Sequence, residues 1–293
     1  MSGEAAIGAA ARSLSAVGNS RCRHNSILEW WTLGDRQTGL IAEMLNKVPE
    51  VTLAFWVIKI MSTTVGETGA DYLAVHVGFG TLVTDAIMLS LLITSLLLQF
   101  RAPLYVPWRY WLTVVLVSVV GTQITDFLSD KLGVSLYVST AAFAVALMAT
   151  FAIWYAVERT LSIHTIVTRR RELFYWVAIL FTFALGTAAG DLATEALQMG
   201  FTLGVMVFGA LIAVITIAYY CGANPILTFW VAYVLTRPLG ASLGDLLSQL
   251  QAYGGLGLGT IVTSAVFLTV IVTLVARLSF STDRPPIAPQ IAE

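Results

Sequence analysis

Residues 55–73 read FWVIKIMSTTVGETGADYL, and three residues in this stretch, Trp56, Gly66 and Asp71, set a pattern that returns through the chain. The glycine follows the tryptophan by ten positions and the aspartate follows it by fifteen. The same spacing recurs at Trp111, Gly121 and Asp126, at Trp176, Gly186 and Asp191, and at Trp230, Gly240 and Asp245. Three aligned columns in four copies define an internal repeat, and a repeat of this length decides the architecture before any local reading does.

The stretch is also the start of a membrane span. The chain is 57% hydrophobic and 11% charged, against roughly 25% charged in an ordinary soluble domain, and its mean hydropathy is +0.82. Apolar runs of about 20 residues, enough to cross a hydrocarbon core, lie at approximately 50–74, 79–100, 108–129, 135–156, 173–197, 202–221, 225–249 and 257–279. Each repeat therefore supplies two helices and enters the membrane in the same direction, unlike an inverted-topology transporter. The fold class predicted is an all-α polytopic membrane protein with eight transmembrane helices, built from four parallel two-helix repeats that are pseudo-symmetric about the membrane normal.

Charge orients it. With the amino terminus in the cytoplasm, the cytoplasmic segments hold Arg101, Arg109, Arg159, Arg169, Arg170, Arg171 and Arg277 among others, while the opposite side holds Lys131. The positive-inside rule then puts both termini in the cytoplasm. The division expected is a cytoplasmic N-terminal extension over 1–48, repeats one and two over 49–157, a basic cytoplasmic loop over 158–172, repeats three and four over 173–280, and a disordered tail over 281–293. Within the extension, SILEWWTLGDRQTGLIAEML (26–45) reads either as an interfacial amphipathic helix or as a poorly ordered lead-in. The net charge of −1 argues against a nucleic-acid partner, which calls for a basic excess. Cys22 and Cys221 fall in no metal-binding spacing.

The four tandem repeats, each with its tryptophan, together with VPEVTLAFWVIKI (48–60) and FWVAYVLTRPLGASLGD (229–245), resemble a bacterial membrane protein family known only as a repeat of unknown function. The resemblance spans roughly residues 46 to 280. It implies the repeat architecture and a bacterial inner membrane, and it carries no chemistry, which has to come from the residues.

On a helix each residue advances the direction by about 100°, so positions seven, eleven, fourteen and fifteen after the tryptophan fall on one stripe with it. That stripe holds Thr63, Glu67, Ala70 and Asp71; then Ser118, Thr122, Thr125 and Asp126; then Phe183, Thr187, Gly190 and Asp191; then Arg237, Ala241, Gly244 and Asp245. Small and polar faces pack against one another inside membranes, because carboxylates are costly against lipid. The four odd spans are expected to form an inner ring and the even spans an outer layer.

Glu67, Asp71, Asp126, Asp191 and Asp245 are the candidate cation ligands, with Glu67 and Asp71, one turn apart, as the metal-binding pair. Asp85, Thr122 and Thr187 are accessory candidates. Arg237, beside Pro238, is the counter-charge expected to pair with Glu67 if repeats one and four adjoin, and Pro238 is expected to open or kink its span. Lys59, about one turn from the interface, is expected to snorkel to it. Hard oxygen donors suit magnesium, calcium or manganese, so the function expected is transport of a cation, with a divalent metal as cargo and no resident cofactor. The alternative is a structural or regulatory membrane protein whose polar stripe only holds the ring together. With no HExxH and no nucleophile beside a general base, enzyme activity is not expected. The partners expected are the lipid bilayer and an inorganic cation; the oligomeric state is open.

Overall fold

The computed structural model describes residues 46–76 and 81–282, apart from the side chains at 70–76, 195, 281 and 282. Residues 1–45 of the expected N-terminal extension and 283–293 of the expected tail lie outside these residues. Among the described residues the regular structure is helical, with no strand.

Eight long helices follow one another among the described residues: α1 Leu53–His76, α2 Thr81–Arg101, α3 Pro107–Asp126, α4 Leu136–Glu158, α5 Arg169–Asp191, α6 Gly200–Tyr220, α7 Pro225–Ser248 and α8 Thr260–Thr282. Seven of them, α2 to α8, are long and apolar enough to cross a membrane; α1 carries Lys59, Glu67 and Asp71 in its 24 residues. Local signals set the starts. Proline opens α3 and α7 at a position where its missing N–H costs nothing. Asn224 caps α7 by accepting from the Ile226 and Leu227 amides, and Thr168 caps α5 by accepting from the Arg171 amide. Arg169 to Arg171 are thus the first turn of α5 rather than loop. Arg170 and Arg171 grip Glu158 at the end of α4, at 2.5 and 2.6 Å. α3 and α5 each continue as one π-helical turn directly after their aspartates, over Phe127–Lys131 and Leu192–Ala196.

The odd helices form a closed ring in which α1 packs on α3, α3 on α5, α5 on α7 and α7 on α1. Over half of the span window in α3, α5 and α7 is buried, against 11 to 17% in the even helices, which turn Leu91, Val145, Met206 and Val272 outward. Inner ring and outer layer match the expectation from the stripe.

The outer helices are displaced by one repeat. Two helices of one repeat touch little; instead α2 lies on α3, α4 on α5, α6 on α7, and α8 on α1. Each outer helix is keyed to the next repeat. Ser95 of α2 hydrogen-bonds Thr113 of α3 at 2.7 Å, Trp154 of α4 stacks on Phe174 of α5, and Thr68 of α1 hydrogen-bonds Ser264 of α8 at 2.6 Å. Gly204 of α6 meets Ser242 of α7, where an added Cβ would fall 2.7 Å from the Ser242 hydroxyl oxygen. The outer helix of the fourth repeat covers the first inner helix, so the layer is as closed as the ring.

Candidate functional site

Contacts around the ring repeat in register. A Cβ added to Gly66 would collide with Ser118, one on Gly121 with Phe183, one on Gly186 with Arg237, and one on Gly240 with Thr63, the nearest atoms lying 1.7 to 2.7 Å away. In each case the glycine is ten residues after its tryptophan and its neighbour is seven residues after the next. The glycine column therefore lets adjacent helices approach to backbone distance, as small residues do inside membranes.

Along the axis the side chains form layers. At the tryptophan end Phe55, Trp56, Tyr110, Trp111, Tyr175 and Trp230 interlock, edge to face for Phe55 with Trp56 and Tyr110 with Trp111, at 5.2 and 5.1 Å between ring centroids, and tilted for Tyr175 with Trp230, at 6.2 Å. The Tyr110 and Tyr175 hydroxyls share a 2.5 Å hydrogen bond. This aromatic cluster closes that end of the ring.

The next layer holds Lys59, Val114, Ile179 and Tyr233, all but fully buried. Lys59 does not snorkel. Its Nζ sits 4.0 Å from the Phe183 ring centroid and 4.3 Å from that of Tyr233, and it has no hydrogen-bond partner. The position three after the tryptophan points about 60° from it on the helical wheel, on the ring-facing stripe. The stem therefore starts inside the ring and cannot reach water at the interface. That phase was readable; the stripe had to be extended one turn back.

Above Lys59 stands Arg237, fully buried. Its Nη2 donates to Glu67 Oε2 at 2.6 Å, to Thr187 Oγ1 at 2.8 Å and to Thr122 Oγ1, and its Nη1 donates to the Thr63 carbonyl at 3.3 Å. Thr122 also donates to Glu67 Oε2 at 3.4 Å. The expected pairing of Arg237 with Glu67 is present, and it exists because α7 closes on α1. Glu67, Thr122 and Thr187 share the position eleven after their tryptophans, so one repeat position supplies three acceptors and the arginine enters from the fourth helix. α7 runs on as a helix through Pro238. The Arg237 stem fits against Gly186.

Asp126, Asp191 and Asp245 are half-buried near the far ends of α3, α5 and α7, and each has an interaction of its own. The Asp71 side chain lies outside the described residues. Asp85 is half-buried in the first turns of α2, a helix that packs on α3. Among the described residues no three of His, Cys, Asp or Glu gather closely enough to hold a metal ion.

A second buried ion pair lies beyond anything the repeat pattern signals. Lys47 Nζ reaches Glu172 Oε2 at 2.8 Å, with both side chains buried, and the Lys47 backbone is held by Ile166 and Gln99. It ties the lead-in to α1 to the first turn of α5. Neither residue belongs to a repeated column, so only the fold reveals the contact.

No curated protein and no solved structure matches the chain. Four stretches, residues 54–105, 109–160, 174–222 and 228–283, match one family, each stretch covering most of an odd helix and the even helix that follows it. The chain belongs to the family described as Repeat of Unknown Function (DUF347).

Proposed function

We propose that the chain is a membrane transporter for a cation, with all eight helices spanning a bacterial inner membrane, the ring axis along the membrane normal and both termini in the cytoplasm. The observation that carries this reading is the buried pair of Arg237 and Glu67 on the ring axis. Taking two charges out of water costs several kcal/mol per ion, and apolar packing would hold a ring at least as well. Ionisable groups kept at such depth mark an ion or substrate path.

The two ends of the ring differ in a way that supports a cation. The tryptophan end is filled with aromatic rings, whereas Glu67 keeps 9% of its side chain exposed and Asp126, Asp191 and Asp245 stand half-buried beyond it. An incoming ion meets carboxylates first, and the first buried one is held by a displaceable arginine. A cation that takes Glu67 releases Arg237, which returns when the site empties. The described site has one carboxylate, which suits a monovalent charge. A divalent metal such as manganese would need Asp71 to join Glu67.

The test is flux into proteoliposomes across a panel of guanidinium, methylammonium, sodium, potassium, magnesium, calcium and manganese. At least one cation should move faster than into protein-free vesicles, and Glu67→Gln should abolish that movement. A panel in which none moves would sink the reading and favour a purely structural ring.

A further inference from the structure

Resting on the cation reading above, we propose that the Arg237 guanidinium is an internal stand-in for the cargo, and that the Glu67 cradle binds a small planar cation bearing N–H donors, of the guanidinium class. The acceptors are set for such a group. Glu67 Oε2, Thr187 Oγ1 and Thr122 Oγ1 converge on one nitrogen, and the Thr63 carbonyl takes the other. These oxygens come from α1, α3 and α5, while the guanidinium alone comes from α7. Withdrawal of one side chain therefore leaves a complete acceptor set.

The surroundings fit the same chemistry. The Phe183 ring lies 5.8 Å from the guanidinium carbon, and a π face suits a delocalised, weakly hydrated cation. Hydroxyl and carbonyl oxygens at hydrogen-bond distance serve directional N–H donors. A bare divalent ion asks instead for six or more close oxygens, and among the described residues the cradle carries a single carboxylate, with the Lys59 amino group 4.0 Å from the centroid of the same ring. The internal guanidinium is also incompletely satisfied, because Arg237 Nε is buried with no hydrogen-bond partner. A free guanidinium presents the same planar edge of N–H donors and can take the same acceptors where the tethered side chain has withdrawn.

Arg237→Ala vacates the position. In the purified full-length variant, millimolar guanidinium chloride should raise the thermal unfolding midpoint saturably by about 5 °C, as expected for a ligand that binds the folded state. Sodium chloride at equal ionic strength should not, and Arg237→Ala combined with Glu67→Gln should not respond. If Arg237→Ala does not fold alone, recovery of folded yield on extraction in guanidinium is the readout. No rise and no recovery, an equal response to sodium, or a response that survives Glu67→Gln would each overturn the proposal. Flux through the unsubstituted protein separates this inference from the reading beneath it. Rescue of Arg237→Ala alongside a wild type that carries no cation keeps the cradle and removes transport. Metal flux that depends on Glu67, with Arg237→Ala unrescued, keeps transport and removes the guanidinium class.

Discussion

Gly240 of α7 faces Thr63 of α1 so closely that a Cβ on the glycine would lie 1.7 Å from the threonine hydroxyl oxygen. This contact joins the last repeat to the first and is the same contact that joins each repeat to the next, so ring closure needs no special joint. It also explains how an arginine fits on the axis. Arg237 occupies the column of Thr63, Ser118 and Phe183, and Gly186 leaves room for its stem, with Cβ and Cγ each 2.4 Å from where a side chain would begin. The packing code of the repeat and the charge of the site are one device.

Substituting these glycines should therefore weaken the ring, and neighbouring glycines off the seam should not. Gly240→Ala forces a methyl into Thr63, and overpacking of this kind costs about 1–3 kcal/mol. For a chain of this size that corresponds to a fall of roughly 2–10 °C in the unfolding midpoint. Gly69→Ala, where an added Cβ meets nothing within 4 Å, should hold or raise the midpoint, since alanine favours helix by about 1 kcal/mol over glycine. Thermal melts in detergent decide it, and equal midpoints for the two variants would count against the seam.

The Lys47 and Glu172 pair should behave as a buried unit. Removing one partner strands the other charge, at a cost of about 3–5 kcal/mol, whereas replacing both with apolar residues of similar volume is often neutral. Glu172→Leu and Lys47→Met should each lower the unfolding midpoint strongly, and the double variant should recover most of the loss. Additive losses in the double-mutant cycle would mean the two side chains are not coupled.

Much of this was legible because the repeat made it so. The Trp, Gly and Asp columns predicted the ring, the inner and outer layers, and the partner of Arg237, each a consequence of helical phase applied four times. What stayed hidden were contacts that phase does not specify. That α2 packs on α3 rather than on α1 depends on which groove offers Thr113 to Ser95, and short loops permit either choice. Lys47 and Glu172 stand outside the columns. Lys59 departs from the expected snorkelling because the direction of the side chain, rather than its distance from the interface, decides whether water can be reached.

Lys59 carries the last prediction. Its amino group is buried against the faces of Phe183 and Tyr233 with no acceptor. As an ammonium it forgoes hydration worth several kcal/mol, of which two aromatic faces return about 0.5–2 kcal/mol each; as a neutral amine it still buries N–H groups that bond to nothing. Methionine matches its length without a polar atom, so Lys59→Met should raise the unfolding midpoint, by roughly 2–4 °C for each kcal/mol gained. A residue that costs the fold this much and remains in the ring is expected to serve the cargo path, and the same variant should lose cation flux in proteoliposomes. A lower midpoint would show that the rings repay the burial. Full flux at a higher midpoint would show that Lys59 takes no part in transport.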